Sequence, residues 1–439
     1  MTIRTPRRAA LALVAGGGAV ALALAGCSAG GGGGDEGSGE PVTLTLLADN
    51  SESTLGPTQA IVDAFNAQSD NVTVEVETRP QGAEGDNAVK TRLSTGEMTD
   101  IFQYNSGSLF QALNPDSTVL NLADEDFIDN LSDTFVSAVS TDNGVYGVPM
   151  GTAMGGGVLY NIGIYEELGL EIPTTWDEFI ANSEAAKDAG YAGVIQTYAE
   201  TWTSQLFVLG DFYNVLAADP DWAEGYTANE RKYVDEPALA GFEHLQEVFE
   251  AGVLNEDFAS ATYDDGVRMV ATGEGAHYPM LTFAIPPMVE NYPEAAEGVG
   301  FFALPGDGPD NGLTAWTPSG LYGSATTEHP EAVKEFLAFV ATTEACDAQT
   351  EAVGAAGPYL VEGCTIPDDV PRSVADMLPY FETEGGSLPA LEFLSPIKGP
   401  ALEQITVEVG SGIRSAEDGA ALYDEDVIKQ AQQLGLEGW

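Results

Sequence analysis

From residue 41 onward, short β-like runs alternate with longer helical ones. Residues 42–48, Val-Thr-Leu-Thr-Leu-Leu-Ala, predict a buried strand, and Val-Thr-Val-Glu-Val at 72–76 predicts a second. Between them a helix over 58–68 places Ile61, Ala64, Phe65 and Gln68 on one face. Another helix over 86–94 leads into a short strand at 100–104. Strand, helix, strand, helix, strand predicts a parallel sheet with right-handed crossovers. Ligands of such sheets bind beyond the carboxyl ends of the strands, which here carry Asp49, Asn50 and Ser51, then Asn105, Ser106 and Gly107.

The pattern then changes. Residues 145–161 are extended and rich in glycine, as a chain crossing between two lobes would be, and similar breaks recur at 273–280 and 316–323. Three crossings predict an α/β protein of two hinged lobes that close on a ligand, with lobes of 41–151 plus 279–318 and of 152–278 plus 319–439. Thr175 is placed to cap a helix from Trp176 to Asp188, with Asp177 and Glu178 in its first turn. Around 329–339 a helix would lay Val333, Phe336, Leu337 and Val340 on a sheet, and the tail 400–439 reads as mainly helical.

Ahead of this body, Arg4, Arg7 and Arg8 precede an apolar run over 9–25 that Gly16, Gly17 and Gly18 interrupt. That run is too short and glycine-rich for a membrane span and reads as a signal peptide over 1–26. Leu24-Ala25-Gly26-Cys27 has the form of a lipoprotein cleavage box, so Cys27 would become a diacylglycerol-bearing N-terminus that anchors the chain to the bilayer. The plainer alternative is a secretory signal with a chance cysteine. Residues 27–40, glycine-rich after the cysteine, form a tether. In an exported chain the remaining Cys346 and Cys364 should pair as one disulfide, worth roughly 3 kcal/mol in the loop-entropy picture.

A formal charge of −54 repels phosphate backbones and removes nucleic acid from the expected partners. It is compatible with a polyol or cation ligand, but reads first as a whole surface made acidic for solubility. Catalytic chemistry finds little support. His244, His277 and His329 form no HExxH arrangement, and neither a nucleophile elbow nor a phosphate-cradling loop occurs. The acids Asp124, Asp126, Asp129 and Asp133 lack the glycine and closing glutamate of a calcium loop. No cofactor or metal is therefore expected.

Several passages in order carry a family resemblance: Phe65-Asn66-Ala67-Gln68; Tyr146-Gly147-Val148-Pro149 before Leu159-Tyr160-Asn161; Leu168-Gly169-Leu170 with Pro173-Thr174-Thr175-Trp176-Asp177-Glu178-Phe179; and Glu331-Ala332 through Phe339. Together they resemble the carbohydrate-binding extracellular solute-binding proteins of ABC importers, the group that includes maltose-binding protein. One departure is Gly275-Ala276-His277-Tyr278-Pro279-Met280, where that group usually reads Gly-x-Ala-Ala-Met. The resemblance implies a two-lobed periplasmic-binding-protein-like fold with a cleft between the lobes. It also implies a monomeric, non-enzymatic receptor that hands a sugar, most simply an oligosaccharide, to membrane-embedded permease subunits.

A pyranose offers apolar C–H faces and a rim of hydroxyls, so its site needs aromatic platforms and side chains that take two hydroxyls at once. Position nominates Trp202, Trp316, Tyr160, Tyr278 and Phe393 as aromatic candidates, and Asp49, Asn50, Asn105, Ser106 and Asp211 as polar ones. His277, near an expected crossing, could hydrogen-bond a ligand. Trp176, Trp222 and Trp439 read as a surface-packing staple, a turn residue and a chain end. A peptide- or polyamine-binding receptor and a cell-surface glycoside hydrolase remain the alternatives, the latter on carboxylate pairs such as Asp264-Asp265.

Overall fold

The computed structural model describes residues 41–306, 311–436 and 438–439. The expected signal peptide, lipidation site Cys27 and tether lie outside the described residues.

A five-stranded sheet forms the first lobe, in the order Val72–Arg79, Val42–Asp49, Ile101–Tyr104, Gly320–Gly323, Gly147–Pro149. Its first three strands are parallel, with Val42 opposite Val72 and Leu46 opposite Ile101. The helices Glu52–Gln68 and Gly82–Thr95 supply the crossovers and begin earlier than the apolar periodicity suggested. Leu44, Leu46, Leu47 and Ala48 are all buried because helices cover both faces of the sheet. Val333, Phe336, Leu337 and Val340 of the helix Pro330–Val340 are buried as their spacing predicts, and Phe336 meets Phe65 edge to face at 5.1 Å.

The second lobe surrounds a six-stranded sheet whose main order is Ser387–Pro389, Leu313–Trp316, Met154–Asn161, Gly275–Leu281, Ala192–Val194. Val299–Ala303 adds to it antiparallel to Met154–Asn161. Thr175 caps the helix Trp176–Asp188, its hydroxyl accepting the Glu178 N–H. Trp176 is not a surface staple: it is buried, stacks on His244 at 3.8 Å between ring centroids, and donates its indole N–H to Glu247 Oε2 at 2.7 Å. Helices Leu402–Gly410 and Ala416–Gln433 account for the helical tail.

Sheet membership corrects the expected exchange of segments. Residues 279–306 and 311–316 stay with the second lobe, because Gly275–Leu281 is an interior strand between Met154–Asn161 and Ala192–Val194 and not a crossing. Pro279 is tolerated there because Ala192–Val194 has already ended beside it, so its missing N–H breaks no ladder. Residues 319–364 return to the first lobe. Gly320–Gly323 completes that sheet, with Tyr322 stacked on Phe102 at 5.5 Å and on Phe110 at 5.0 Å. The chain therefore crosses near Met150–Ala153, near Thr317–Ser319, and between Cys364 and Arg372. Cys346 and Cys364 form the expected disulfide just before that third crossing.

Candidate functional site

A cavity of about 330 Å³ lies between the lobes, within the range of small-molecule sites. Its first-lobe wall is polar and sits where parallel-sheet topology places ligands, beyond the strand ends. Asp49 ends one strand, Arg79 ends its neighbour, and Asn105 and Ser106 follow the third. Asp86 of the helix Gly82–Thr95 joins them. Asp49 Oδ1 accepts the Ser51 N–H at 2.9 Å and the Ser51 hydroxyl, a local turn that starts the following helix.

Ser106 lines the cavity but spends its hydroxyl on Thr317 Oγ1 at 2.7 Å and on the Pro318 carbonyl at 2.9 Å. It ties a first-lobe strand end to a crossing. Arg79 is buried, donating from Nη1 to the Pro80 carbonyl at 3.1 Å and from Nη2 to Gln103. Its Nε has no partner among the described residues. Burial raises the Asp86 carboxyl above its ordinary value, and the charges of Lys90, Arg79 and Lys398 oppose that shift.

The facing wall is aromatic. Trp202, Tyr263 and Phe283 form one cluster, each ring pair 5.7–5.8 Å apart. Trp316 and Phe393 form a second patch. The Trp316 indole donates to Glu392 Oε1 at 2.6 Å, and Lys398 Nζ donates to Glu392 Oε2 at 2.9 Å. The Trp316 ring packs against Gly156, where any Cβ would collide with it. At one edge the lobes touch: Gly107, at φ +70°, packs against the Glu392 carbonyl and the Phe393 ring so closely that a Cβ would overlap both.

The structure thus gathers Asp49, Asn105, Ser106, Trp202, Trp316 and Phe393 at one cavity. It does not bring the other four nominees there. Asn50 is exposed outside the cavity, its N–H bonded to the Arg79 carbonyl. Tyr160 packs against Tyr165 and Phe302 at 4.6 and 5.5 Å, within the second-lobe core. Tyr278, from the strand taken for a crossing, is buried with its hydroxyl 3.1 Å from Thr197 Oγ1. Asp211 is buried inside the second lobe, where Asn214 Nδ2 donates to it at 2.8 Å and His244 Nδ1 lies 3.8 Å away. Burial pushes His244 down to about 3, so at neutral pH this approach is not an ion pair.

His277 is likewise a core residue. Its Nδ1 meets the Gly193 carbonyl and its Nε2 the Tyr165 hydroxyl, both at 2.7 Å, and burial lowers it to about 4. Among the described residues no group of three or more His, Cys, Asp or Glu side chains could hold a metal ion, and no helix is long and apolar enough to cross a membrane.

Sequence reasoning missed Arg79, Asp86, Tyr263, Phe283, Glu392 and Lys398. The strand runs on to Arg79, three residues beyond the alternating 72–76 run, and that extension carries the guanidinium. Thr262 and Asp265 form a capping box on Tyr263–Thr272, a signal that would have placed Tyr263 at a helix start.

Known proteins share this fold. A family model described as "Bacterial extracellular solute-binding protein" matches residues 48–345. The chain is 24% identical over 309 residues to a protein of Streptococcus mutans named Multiple sugar-binding protein, taking in 69% of this chain and 71% of that one. Among solved structures, one titled Chitin oligosaccharide binding protein superposes with a TM-score of 0.78 at 20% identity, covering 90% of this chain and all of that chain. The solute-binding protein RafE in complex with raffinose gives 0.71 at 21% identity, covering 88% and 99%. These two likenesses speak to the fold. The family match takes in well over half of the chain, which therefore belongs to the bacterial extracellular solute-binding proteins, a family that binds solutes and does not transform them.

Proposed function

We propose that this chain captures an oligosaccharide between its lobes, outside the cell membrane, and delivers it to the permease of an ABC importer. The observation that carries the reading is the pairing of two unlike walls across one cleft. Trp202, Tyr263, Phe283, Trp316 and Phe393 offer ring faces to the C–H surfaces of a sugar. Asp49, Arg79, Asp86, Gln103 and Asn105 offer donors and acceptors to its hydroxyl rim. Three crossing segments allow the lobes to hinge, and closure would bury the sugar in a shape the permease reads. Raffinose and chitin oligosaccharides, named for the similar structures, are the first ligands to try. Cys27 would carry the lipid that keeps the receptor beside its transporter.

Thermal unfolding across mono- and oligosaccharides, peptides, amino acids and polyamines tests the reading. A saturable rise in Tm with one saccharide class, without product formation, is expected. A rise confined to peptides or amines refutes the sugar assignment while sparing the fold, and saccharide breakdown refutes the receptor role. The mass of the mature chain reads the lipid at Cys27 directly.

A further inference from the structure

Stacking on a sugar demands an aromatic plane held within about 10–20° of its productive angle. The Trp316 ring is not held by packing alone. A void of about 10 Å³, which it lines together with Leu209, Phe212, Tyr233 and Ile397, adjoins the otherwise buried ring. Beside its packing on Gly156, the ring is oriented by one short bond from the indole N–H to Glu392 Oε1. Lys398 in turn holds the other carboxylate oxygen, and both charged side chains are mostly buried, which strengthens the pair and sets its geometry.

Glu392 also has a second engagement. Its carbonyl oxygen, with the ring of the next residue Phe393, is the surface that Gly107 of the opposite lobe meets. Lys398 sits close enough across the cleft to act electrostatically on Asp86 of that same lobe.

We propose that Glu392 is a positioning residue: its side chain sets the Trp316 plane against the sugar while its main chain forms the landing for lobe closure, so the platform is registered where the lobes meet. This rests on the saccharide reading of the cleft. Glu392 acts on the ligand through Trp316, so its contribution should vanish when the indole N–H is absent.

The test compares the full chain with Glu392→Ala, Glu392→Gln, Trp316→Phe and the double variant Glu392→Ala/Trp316→Phe. Two readouts are taken: near-ultraviolet circular dichroism without ligand, and calorimetric Kd for whichever of raffinose or chitin oligosaccharides binds the parent chain. Glu392→Ala should change the indole spectrum and weaken binding about tenfold, the loss of one charge-assisted hydrogen bond. Glu392→Gln keeps an acceptor and should restore most of both. In the Trp316→Phe background, Glu392→Ala should change neither.

Additive losses in the double variant, or an indole spectrum indifferent to Glu392→Ala, overturn the proposal. Should Glu392→Ala fail to fold, Trp316→Phe decides alone: it keeps a ring but removes the donor, so an unchanged Kd refutes the role. If no saccharide binds the parent chain, the sugar reading fails and the ligand-free spectra still decide whether Glu392 sets the indole.

Discussion

The two walls of the cleft are built on different principles. The first-lobe wall is a by-product of topology: three parallel strands end side by side, and Asp49, Arg79 and Asn105 stand at or just beyond those ends. The second-lobe wall has no such single source. Trp202, Tyr263, Phe283, Trp316 and Phe393 come from five separate segments, brought together by a mixed sheet and the short helices around it. One wall is made of groups that already answer one another, the other of rings of mixed burial: Trp202, Phe283 and Phe393 are half-buried, while Tyr263 and Trp316 are buried and reach the cavity only at its lining. A polar wall should therefore show its worth in the empty protein, and an aromatic wall only when a ligand is present.

Arg79→Met puts the largest strain on that contrast. The guanidinium donates to Pro80 and Gln103 and offsets the buried Asp86. Its loss should cost about 3 kcal/mol of stability in the ligand-free chain, seen as a lower urea midpoint. An unchanged midpoint would show that the polar wall is no more self-supporting than the aromatic one. Trp202→Ala should behave the other way, because the indole is only half-buried against Tyr263 and Phe283. Its expected cost of about 2 kcal/mol falls on saccharide affinity, about thirtyfold in Kd. If ligand-free stability falls by the same amount, Trp202 is a core residue and the comparison collapses.

The same contrast explains what could be read from the sequence. Asp49, Asn105 and Ser106 were legible because a parallel sheet announces its strand ends through alternation and turn chemistry. The helix face of Val333, Phe336, Leu337 and Val340 was legible because a 3.6-residue period needs no knowledge of its partner. Tyr160 and Tyr278 were misplaced for the opposite reason. Glycine and proline near them suggested a crossing, whereas Gly155, Gly156 and Gly157 are small so that Leu313, Trp316 and Phe301 can lie on the strand. Local composition registers a close approach without saying what approaches. The exchange of 279–306, 311–316 and 319–364 between lobes was illegible too, since strand partners are fixed by contacts far apart in the chain.

Gly107 lies where the walls meet, and Gly107→Ala tests closure separately from either wall. Its positive φ disfavours any side chain, and a Cβ would overlap the Glu392 carbonyl and the Phe393 ring. The lobes already meet at this edge in the structure, so the overlap falls on every state that keeps this contact, and affinity for a ligand held in such a state should fall by about 1 kcal/mol, roughly fivefold. Small-angle scattering with saturating saccharide should then show a larger radius than the parent chain. An unaltered Kd would mean that the ligand is held without contact at this edge.

The smallest effect is in pH dependence, and it bears on the polar wall. Burial raises Asp86 in the folded chain above its ordinary value of 3.8, more than Lys90, Arg79 and Lys398 lower it. The folded protein therefore keeps a proton that the unfolded chain has already released. Linkage gives the sign: the contribution of Asp86 is fully present below the unfolded value and is lost as pH rises through the higher folded one. Compared with Asp86→Asn, which carries no titrating group there, the parent chain should gain stability as pH falls from neutral towards the carboxylate range. Paired thermal melts measure that difference, and the common slope shared by the other carboxylates cancels. A parent chain that loses ground against Asp86→Asn on acidification would mean that the cations dominate over burial at this carboxyl. The polar wall would then be an ion-paired surface, and the stability assigned to Arg79 would have to be read as charge pairing with Asp86.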